Sequence, residues 1–163
     1  MRDGRVEQVG TSNEILKTPA SEYIFDFTRD VDRGRVLTLD SVMRPIVPLE
    51  TKNCTVDQAL TALSDSDGDN AGILFKDGTP ERCINKDDLE QAGALGVNDC
   101  SDLGIPTTVV PTTTVLLEAF EAAANGHCLT AIDRKGRIVG HADPDDVLNA
   151  LIPNTYEPVD AAS

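Results

Sequence analysis

Apolar residues recur at helical spacing in two stretches of the chain, residues 55–63 and 115–123. In the first, "TVDQALTAL", the apolar positions fall at i, i+3, i+4 and i+7, and these are Val56, Ala59, Leu60 and Leu63. This spacing is typical of an amphipathic helix with one buried face. The second stretch, "VLLEAFEAA", resembles the first and predicts a second such helix.

The residues around each predicted helix follow the same plan. An extended run, Ile46–Leu49 or Thr107–Val110, precedes the helix. Two short apolar runs follow it and are joined by a tight turn at Lys76-Asp77-Gly78 or Arg134-Lys135-Gly136, which predicts a pair of strands. A further helix is predicted to begin at Lys86 or at Pro144.

An internal repeat underlies this symmetry. "AGILFKDGTPERCINKDDL" (71–89) resembles "LTAIDRKGRIVGHADPDDV" (129–147), so that Gly78 corresponds to Gly136, Asn85 to Asp143 and Asp88 to Asp146. The sequence therefore predicts an α/β fold of two β-α-β-β-α repeats related by a pseudo-two-fold axis. Neither half is large enough to bury much surface alone, so we expect the halves to pack on each other.

The first thirty residues predict a separate small segment. Arg2-Asp3-Gly4-Arg5 is a hairpin turn signal, and a strand is predicted over Val6–Val9. A capped helix should begin at Thr11 or Ser12 and end before Pro19. A second helix is predicted from about Ser21 to Arg29, with Tyr23, Ile24 and Phe27 on one face. This segment has no core of its own, which indicates the trailing edge of a larger domain.

Charge is distributed unevenly along a chain whose net charge is −14. Residues 1–44 carry seven Lys or Arg against eight Asp or Glu, whereas residues 45–163 carry seven against twenty. Such an acidic surface repels phosphate backbones, so nucleic-acid binding is excluded as a function. The composition fits either a salt-adapted source or a simple requirement for solubility. No apolar run approaches the length of a membrane span, and the N-terminus lacks the profile of a signal peptide.

The four cysteines show no metal-binding or redox spacing. Cys54, Cys83, Cys100 and Cys128 are far apart and form no CxxC pair. We therefore expect free thiols in a reducing cytosol.

The repeat resembles a tandem pair of cystathionine-β-synthase (CBS) domains, a regulatory module. "LTLDSVMRPIVPLETKNCTVDQAL" resembles the entry to a first CBS domain, and "AIDRKGRIVGHADPDDVL" resembles the closing stretch of a second. The resemblance implies a homodimer and the following division of the chain. Residues 1–37 would be a preceding domain's tail and linker, 38–98 the first CBS domain, 99–153 the second, and 154–163 a disordered tail.

The opening segment, "MRDGRVEQVGTSNEILKTPASEYIFDFTRDVDRGRVLTLDSVM", resembles the end of the ATP-binding subunit of osmoprotectant ABC importers. Those importers carry glycine betaine, proline betaine and related quaternary amines, and also L-proline. The resemblance implies a C-terminal regulatory fragment, cytoplasmic and peripheral to the membrane, whose parent partners a membrane permease. The sequence contains no GxxxxGK[ST] phosphate loop, so this stretch is not expected to be an enzyme.

Two interpretations of the acidic helix starts stay open. Asn85 and Asp143 can cap helices, and the acidic residues that follow suit the helix dipole. The CBS resemblance instead implies an adenine-nucleotide site at Asp88 and Asp146, which match the family's ribose-binding aspartate. The candidate ligand residues are Ile84, Asn85, Asp88, Ala142, Asp143 and Asp146.

The two copies differ at the position where the family has a phosphate-binding hydroxyl. Asp143 stands there in the second copy, and a carboxylate near a phosphate is a like-charge contact. Asn85 is neutral, and Arg82 and Lys86 lie close in sequence, so the first copy is the better candidate for AMP or ATP. The resemblance also implies cyclic di-AMP at a dimer interface as a possible ligand.

Three function hypotheses follow. The module could sense ionic strength through its acidic surface or an adenine nucleotide, and so regulate osmoprotectant import. It could be a nucleotide-binding module on another ABC ATPase, or a purely structural dimeriser. The acidic loop "SDSDGDN" (64–70) lacks the spacing of a calcium loop and is interpreted as solvated. His127 and His141 are interpreted as surface or packing residues, since neither has a partner at metal-ligand spacing.

Overall fold

Short helices open the structure, a computed structural model that describes residues 4–52, 54–66 and 71–153. They are α1 (Ser12–Lys17), α2 (Glu22–Thr28) and α3 (Arg33–Val36), followed by a 3₁₀ turn at Leu39–Ser41. Thr11 caps α1 in a reciprocal box with Glu14, as the sequence predicts, and Ser21 caps α2. The Asp-Gly turn lies partly outside the described residues.

Two predictions for this segment are wrong. Residues 6–9 form no strand, because none of the strands in the described ranges is placed to pair with them. Phe27 does not share the buried face of Ile24 and is 72% exposed. The helical spacing therefore did not predict the burial of Phe27 correctly.

The rest of the chain forms the predicted repeat of strand, helix, strand, strand and helix. In the first copy the elements are β1 (Ile46–Glu50), α4 (Val56–Ser64), β2 (Ala71–Lys76), β3 (Thr79–Ile84) and α5 (Lys86–Ala94). In the second they are β4 (Ile105–Pro111), α6 (Leu116–Ala123), β5 (Cys128–Ile132), β6 (Ile138–Ala142) and α7 (Pro144–Leu151). The mixed α/β class and the two-copy architecture are confirmed.

The six strands lie in chain order in one curled sheet. Within each copy the first two strands are parallel, because a helix joins them, and the next two form an antiparallel hairpin. The copies meet where β3 pairs with the first two residues of β4, Ile105 and Pro106. The copies also meet at a second seam, where Arg44 forms an isolated antiparallel β-bridge with His141 of β6. The first and second copies are therefore joined at both edges of contact.

Each copy has its own apolar core. The first is built around Val56, Leu74, Ile84 and Leu89, and the second around Leu116, Leu129, Ala131 and Val147. The opening segment contributes to the second core through Leu16, Leu37 and Leu39. The segment that lacks a core in sequence is thus held on the second repeat.

A buried arginine fixes this attachment. The Arg33 guanidinium donates to the carbonyl oxygens of Leu16 at 3.1 Å and Ala150 at 2.9 Å, which links α1 to α7. Burial lowers the pKa of Arg33 from its ordinary value. The Lys17 ammonium also donates to the Ser41 carbonyl. No helix among the described residues combines the length and apolarity that a bilayer span needs.

The prediction of free thiols is wrong in this structure. Cys54 pairs with Cys100, and Cys83 pairs with Cys128. The first disulfide lies in the core of the first copy, and the second joins β3 to β5 across the seam between copies. The 46- and 45-residue separations give no local signal, and the fold alone brings these side chains together.

Candidate ligand site

The two acidic helix starts occupy equivalent places in the fold. In each copy the second strand of the hairpin ends, one residue caps the next helix, and the helix begins. Asn85 caps α5 by accepting from the Asp88 N–H at 2.7 Å. Asp143 caps α7 in a box with Asp146, whose carboxylate accepts from the Asp143 N–H at 2.9 Å. The capping interpretation is therefore confirmed for both copies.

A cleft of about 260 Å³ lies beside the first helix start. We call it the first-copy cleft, and it is lined by Ala71, Cys83, Ile84, Asn85, Asp88, Ile105 and Asp143. Its volume is near the lower end for small-molecule pockets, about 300 Å³. Four of the six candidate residues thus share one cleft, whereas the buried Ala142 and the partly covered Asp146 do not line it.

The first-copy cleft offers an apolar wall and free polar groups. Ala71, Ile84 and Ile105 supply the apolar surface. The Asn85 side-chain oxygen is engaged in the cap, which leaves its amide nitrogen to donate. The Asp88 carboxylate forms no hydrogen bond or ion pair within the described part of the chain. An uncommitted carboxylate beside a helix start can accept hydrogen bonds from a ligand's hydroxyl groups.

The cations expected near this cleft are engaged elsewhere. The Arg82 guanidinium donates to the carbonyl oxygens of Leu103 at 2.8 Å and Gly104 at 2.6 Å. Lys86 lies 3.9 Å from Glu90 on the exposed side of α5. Neither cation lines the first-copy cleft.

The second helix start is occupied by an arginine that the sequence reasoning missed. Arg44 Nη2 donates to Asp143 Oδ2 at 2.7 Å and to Asp146 Oδ2 at 2.8 Å. We call the group Arg44, Asp143 and Asp146 the second-copy site. Desolvation lowers the pKa of Arg44, but the charges and hydrogen bonds of Asp146 and Asp143 outweigh it, so that the pKa is raised overall.

The main chain of Arg44 is also fixed. Its N–H donates to the His141 carbonyl at 2.8 Å, and the His141 N–H donates back to the Arg44 carbonyl at 2.9 Å. Gly140 makes this approach possible, since a Cβ there would lie 2.8 Å from the Arg44 oxygen. A glycine is thus required at position 140 for steric reasons. Arg44 directly precedes Pro45 and the first strand, and this position is the one sequence signal that could have identified it.

His141 is fully buried beneath this ion pair. Its Nδ1 lies 3.3 Å from the Arg44 carbonyl oxygen, and its Nε2 has no hydrogen-bond partner among the described residues. Burial is the main cause that lowers the pKa of His141, and the Arg44 charge adds to it, while the Asp143 and Asp146 charges oppose it. The imidazole is therefore neutral at pH 7.

Protonation of His141 should destabilise the fold. Because its pKa is lower when folded, the unfolded chain binds more protons below pH 6.5, and the free energy of unfolding should fall as pH decreases. Each pKa unit of depression corresponds to about 1.4 kcal/mol. Urea midpoints should fall from pH 6.5 downward in the wild type and stay nearly constant in His141→Gln until carboxylates begin to titrate below about pH 5. Equal slopes in both proteins would contradict this assignment.

A further cleft of about 380 Å³ lies on the other side of Asp146. It is lined by Lys17, Arg33, Ser41, Val42, Asp146, Asn149 and Ala150. The opening segment and the second helix start therefore line a common cleft. Within the described ranges, no group of three or more His, Cys, Asp or Glu side chains is placed to hold a metal ion. The acidic loop at 64–70 lies largely outside the described residues.

Curated relatives of this chain are ATP-binding subunits of betaine transporters. The chain is 27% identical over 159 residues to the glycine betaine transport ATP-binding protein OpuAA of Bacillus subtilis. It is 32% identical over 167 residues to the glycine betaine/carnitine transport ATP-binding protein GbuA of Listeria monocytogenes. These matches cover 94% of this chain but 37% and 39% of the relatives. The chain thus spans less than half of their length.

Solved structures with the same fold are CBS domain pairs. One is a hemolysin-like protein containing a CBS domain from Oenococcus oeni PSU, with a TM-score of 0.58, 15% identity, and coverage of 77% of this chain and 96% of that chain. Another is the CBS domain of a bacterial CNNM/CorC family Mg²⁺ transporter in complex with ATP, with a TM-score of 0.54, 14% identity, and coverage of 72% and 88%.

A third solved relative is a CBS domain pair in complex with 5′-methylthioadenosine and S-adenosyl-L-methionine. Its TM-score is 0.52 at 13% identity, with coverage of 69% of this chain and 94% of that chain. No family model matches the chain. The chain is thus homologous to the C-terminal part of the ATP-binding subunits of glycine betaine ABC transporters, and its fold is a tandem pair of CBS domains.

Proposed function

We propose that this CBS pair regulates the ATPase of a glycine betaine or L-proline importer by binding an adenosine compound in the first-copy cleft. The observation that carries the proposal is the uncommitted Asp88 carboxylate beside an apolar wall in a chain related to those ATPases. The parent subunit would pair with a membrane permease at the cytoplasmic face. The CBS pair would associate as a homodimer.

The ligand chemistry follows from the groups in the cleft. The Asp88 carboxylate would accept from the two ribose hydroxyls, and the Asn85 amide would donate to the 5′ substituent. The adenine would lie on the apolar surface of Ile84 and Ile105. Relatives of the same fold are solved with ATP and with 5′-methylthioadenosine and S-adenosyl-L-methionine, which supports an adenosine-containing ligand here.

A phosphate would meet unfavourable charge in this cleft. Asp143 lies in its wall, and the part of the chain that the structure describes places no Lys or Arg there. Two like charges about 4 Å apart repel by about 4 kcal/mol at an effective dielectric of about 20. The Arg44 contact offsets part of this charge. AMP, ATP and cyclic di-AMP are therefore to be compared directly with uncharged adenosine.

Replacing Asp88 should remove ligand binding. Asp88→Asn keeps the shape of the side chain but loses the charged acceptor, which should weaken binding by at least about tenfold. Calorimetry with adenosine, AMP, ATP and cyclic di-AMP measures this in the full chain. Asp87→Asn is the matched control, because it removes the same charge from the first turn of the same helix without touching the cleft.

Two results would overturn the nucleotide proposal. One is silence from all four compounds in the wild-type protein. The other is equal loss of binding in Asp87→Asn and Asp88→Asn. Silence together with salt-dependent dimerisation would favour an ionic-strength sensor instead, since the net charge of −14 gives repulsion that salt screens. Silence with salt-independent pairing would favour a structural dimeriser.

A further inference from the structure

We propose that Arg44 is an internal occupant of the second-copy site, so that each chain binds one nucleoside, in the first-copy cleft, rather than two. The Arg44 guanidinium supplies to Asp143 and Asp146 the donors that a ribose diol would otherwise supply. The inference rests on the proposed function for the class of ligand. It assigns to Arg44 the role of a specificity-determining residue.

The hydrogen bonds at Asp146 show the site filled. Its Oδ2 accepts from Arg44 Nη2 at 2.8 Å and from the Asp143 N–H at 2.9 Å. Asp143 Oδ2 accepts from the same Arg44 nitrogen at 2.7 Å. The equivalent aspartate of the first copy, Asp88, has neither contact. The repeat thus places one ribose-type carboxylate in a free state and the other in an ion pair.

The seam of the fold delivers this arginine to the site. The reciprocal main-chain bonds between Arg44 and His141 fix its Cα beside the end of β6. A side chain held at its base loses less conformational freedom when it forms its ion pair. At the equivalent seam, β3 pairs with Ile105 and Pro106, which carry no charge to place on Asp88. The asymmetry between copies is therefore built into their entry residues.

Partial burial strengthens the ion pair that Arg44 forms in the second-copy site. The side chains of Arg44 and Asp146 are only 34% and 25% exposed. A ligand that enters must displace a charged donor from two carboxylates in a partly desolvated site. A neutral diol makes weaker hydrogen bonds than a guanidinium does, so it does not compete effectively.

Binding stoichiometry tests the inference. In calorimetry with adenosine, the wild-type chain should bind one equivalent, and Asp88→Asn should remove it. Adding Arg44→Gln to Asp88→Asn should restore binding of one equivalent, and adding Asp146→Asn to that pair should abolish it. Arg44→Lys with Asp88→Asn is the matched control. It keeps a cation beside Asp143 and Asp146, so the second-copy site should still bind no adenosine. Two equivalents in the wild type, or no recovery with Arg44→Gln, would overturn the inference.

A second measurement leaves Arg44 in place, in case its replacement unfolds the chain. Asp146→Asn alone should change adenosine affinity by less than about twofold, whereas loss of a ribose ligand would cost at least about tenfold. A tenfold loss of adenosine affinity in Asp146→Asn would contradict the occupancy of the second-copy site by Arg44, because Asp146 would then bind the ligand. Absence of adenosine binding in the wild type, with binding through Asp146 once Arg44 is replaced, would instead overturn the proposed binding in the first-copy cleft and support the occupancy of the second-copy site by Arg44.

Discussion

Replacement of Gly104 by alanine is expected to lower the free energy of unfolding by about 3 to 5 kcal/mol. Gly104 has a φ of +76°, in the left-handed region that favours glycine. An added Cβ would lie 2.0 Å from the carbonyl oxygen of Cys83 and 2.8 Å from its carbonyl carbon. Both neighbours are main chain at the seam between copies, and they cannot rotate away as a side chain could.

Gly136→Ala is the matched control for this substitution. Gly136 has a nearly equal φ of +74°, but an added Cβ would meet no atom within 4 Å. Gly136→Ala should therefore lower the free energy of unfolding only by the cost of the left-handed backbone conformation, about 1 to 2 kcal/mol. Urea unfolding of both variants therefore separates the close approach from the backbone preference. Equal midpoints would mean that the main chain at Gly104 lies farther from Cys83 than the structure shows.

Gly104 also explains how the first copy forms its close approach without a counterpart of Gly140. Arg82 stands where the second copy has Gly140, and its guanidinium binds the carbonyls of Leu103 and Gly104. The close approach between strands is then made from the other side, by Gly104. The lack of a glycine at position 82 is thus compensated across the seam by Gly104.

The repeat could be predicted because it depends on local spacing. The helical stripe at Val56–Leu63 and the turns at Gly78 and Gly136 each depend on near neighbours in the chain. The helix starts at Lys86 and Pro144 were predicted from caps for the same reason. Both copies also repeat the signal, so each supports the assignment of the other.

Features at the seams could not be predicted, because they join residues that are distant in sequence. Arg44 reaches Asp146 across 102 positions, and the spacing of charges gives no hint of that contact. The predicted strand at 6–9 failed for a related reason, since a strand needs a partner that local sequence does not show. Asp143 was expected to disfavour a ligand's phosphate, and the structure pairs it with the cation Arg44.

The ligand assignment stays a prediction, whereas the ancestry and the fold do not. Relatives cover nearly the whole of this chain, and the fold matches CBS pairs in each copy. Which residues bind a ligand depends on a few side chains that differ between the copies. Asn85 and Asp88 retain groups that can hold a nucleoside, while Asp143 and Asp146 are paired with Arg44.

The disulfide between Cys83 and Cys128 should contribute about 4 kcal/mol to the free energy of unfolding in the chain-entropy description. It closes a loop of 45 residues and joins β3 to β5 where β4 changes its pairing partner from one to the other. For a chain of this size, its loss should lower the melting temperature by roughly 10 °C. Thermal unfolding of the Cys83→Ala/Cys128→Ala variant, with and without reductant, measures this effect.

The disulfide between Cys54 and Cys100 provides the matched control, and the two bonds differ in their distance from the first-copy cleft. Cys54 and Cys100 close a loop of nearly equal length, so their replacement by alanine should cost a similar amount of stability. Only Cys83 lines the first-copy cleft, so only its variant should also weaken adenosine binding. Four reactive thiols in the denatured, unreduced protein would show that neither bond forms, and stability would then be insensitive to reductant. Two crosslinks of nearly equal loop length with unequal effects on binding would connect the seam between the copies to the ligand site, because β3 pairs with β4 at the seam and contributes Cys83 and Ile84 to the cleft.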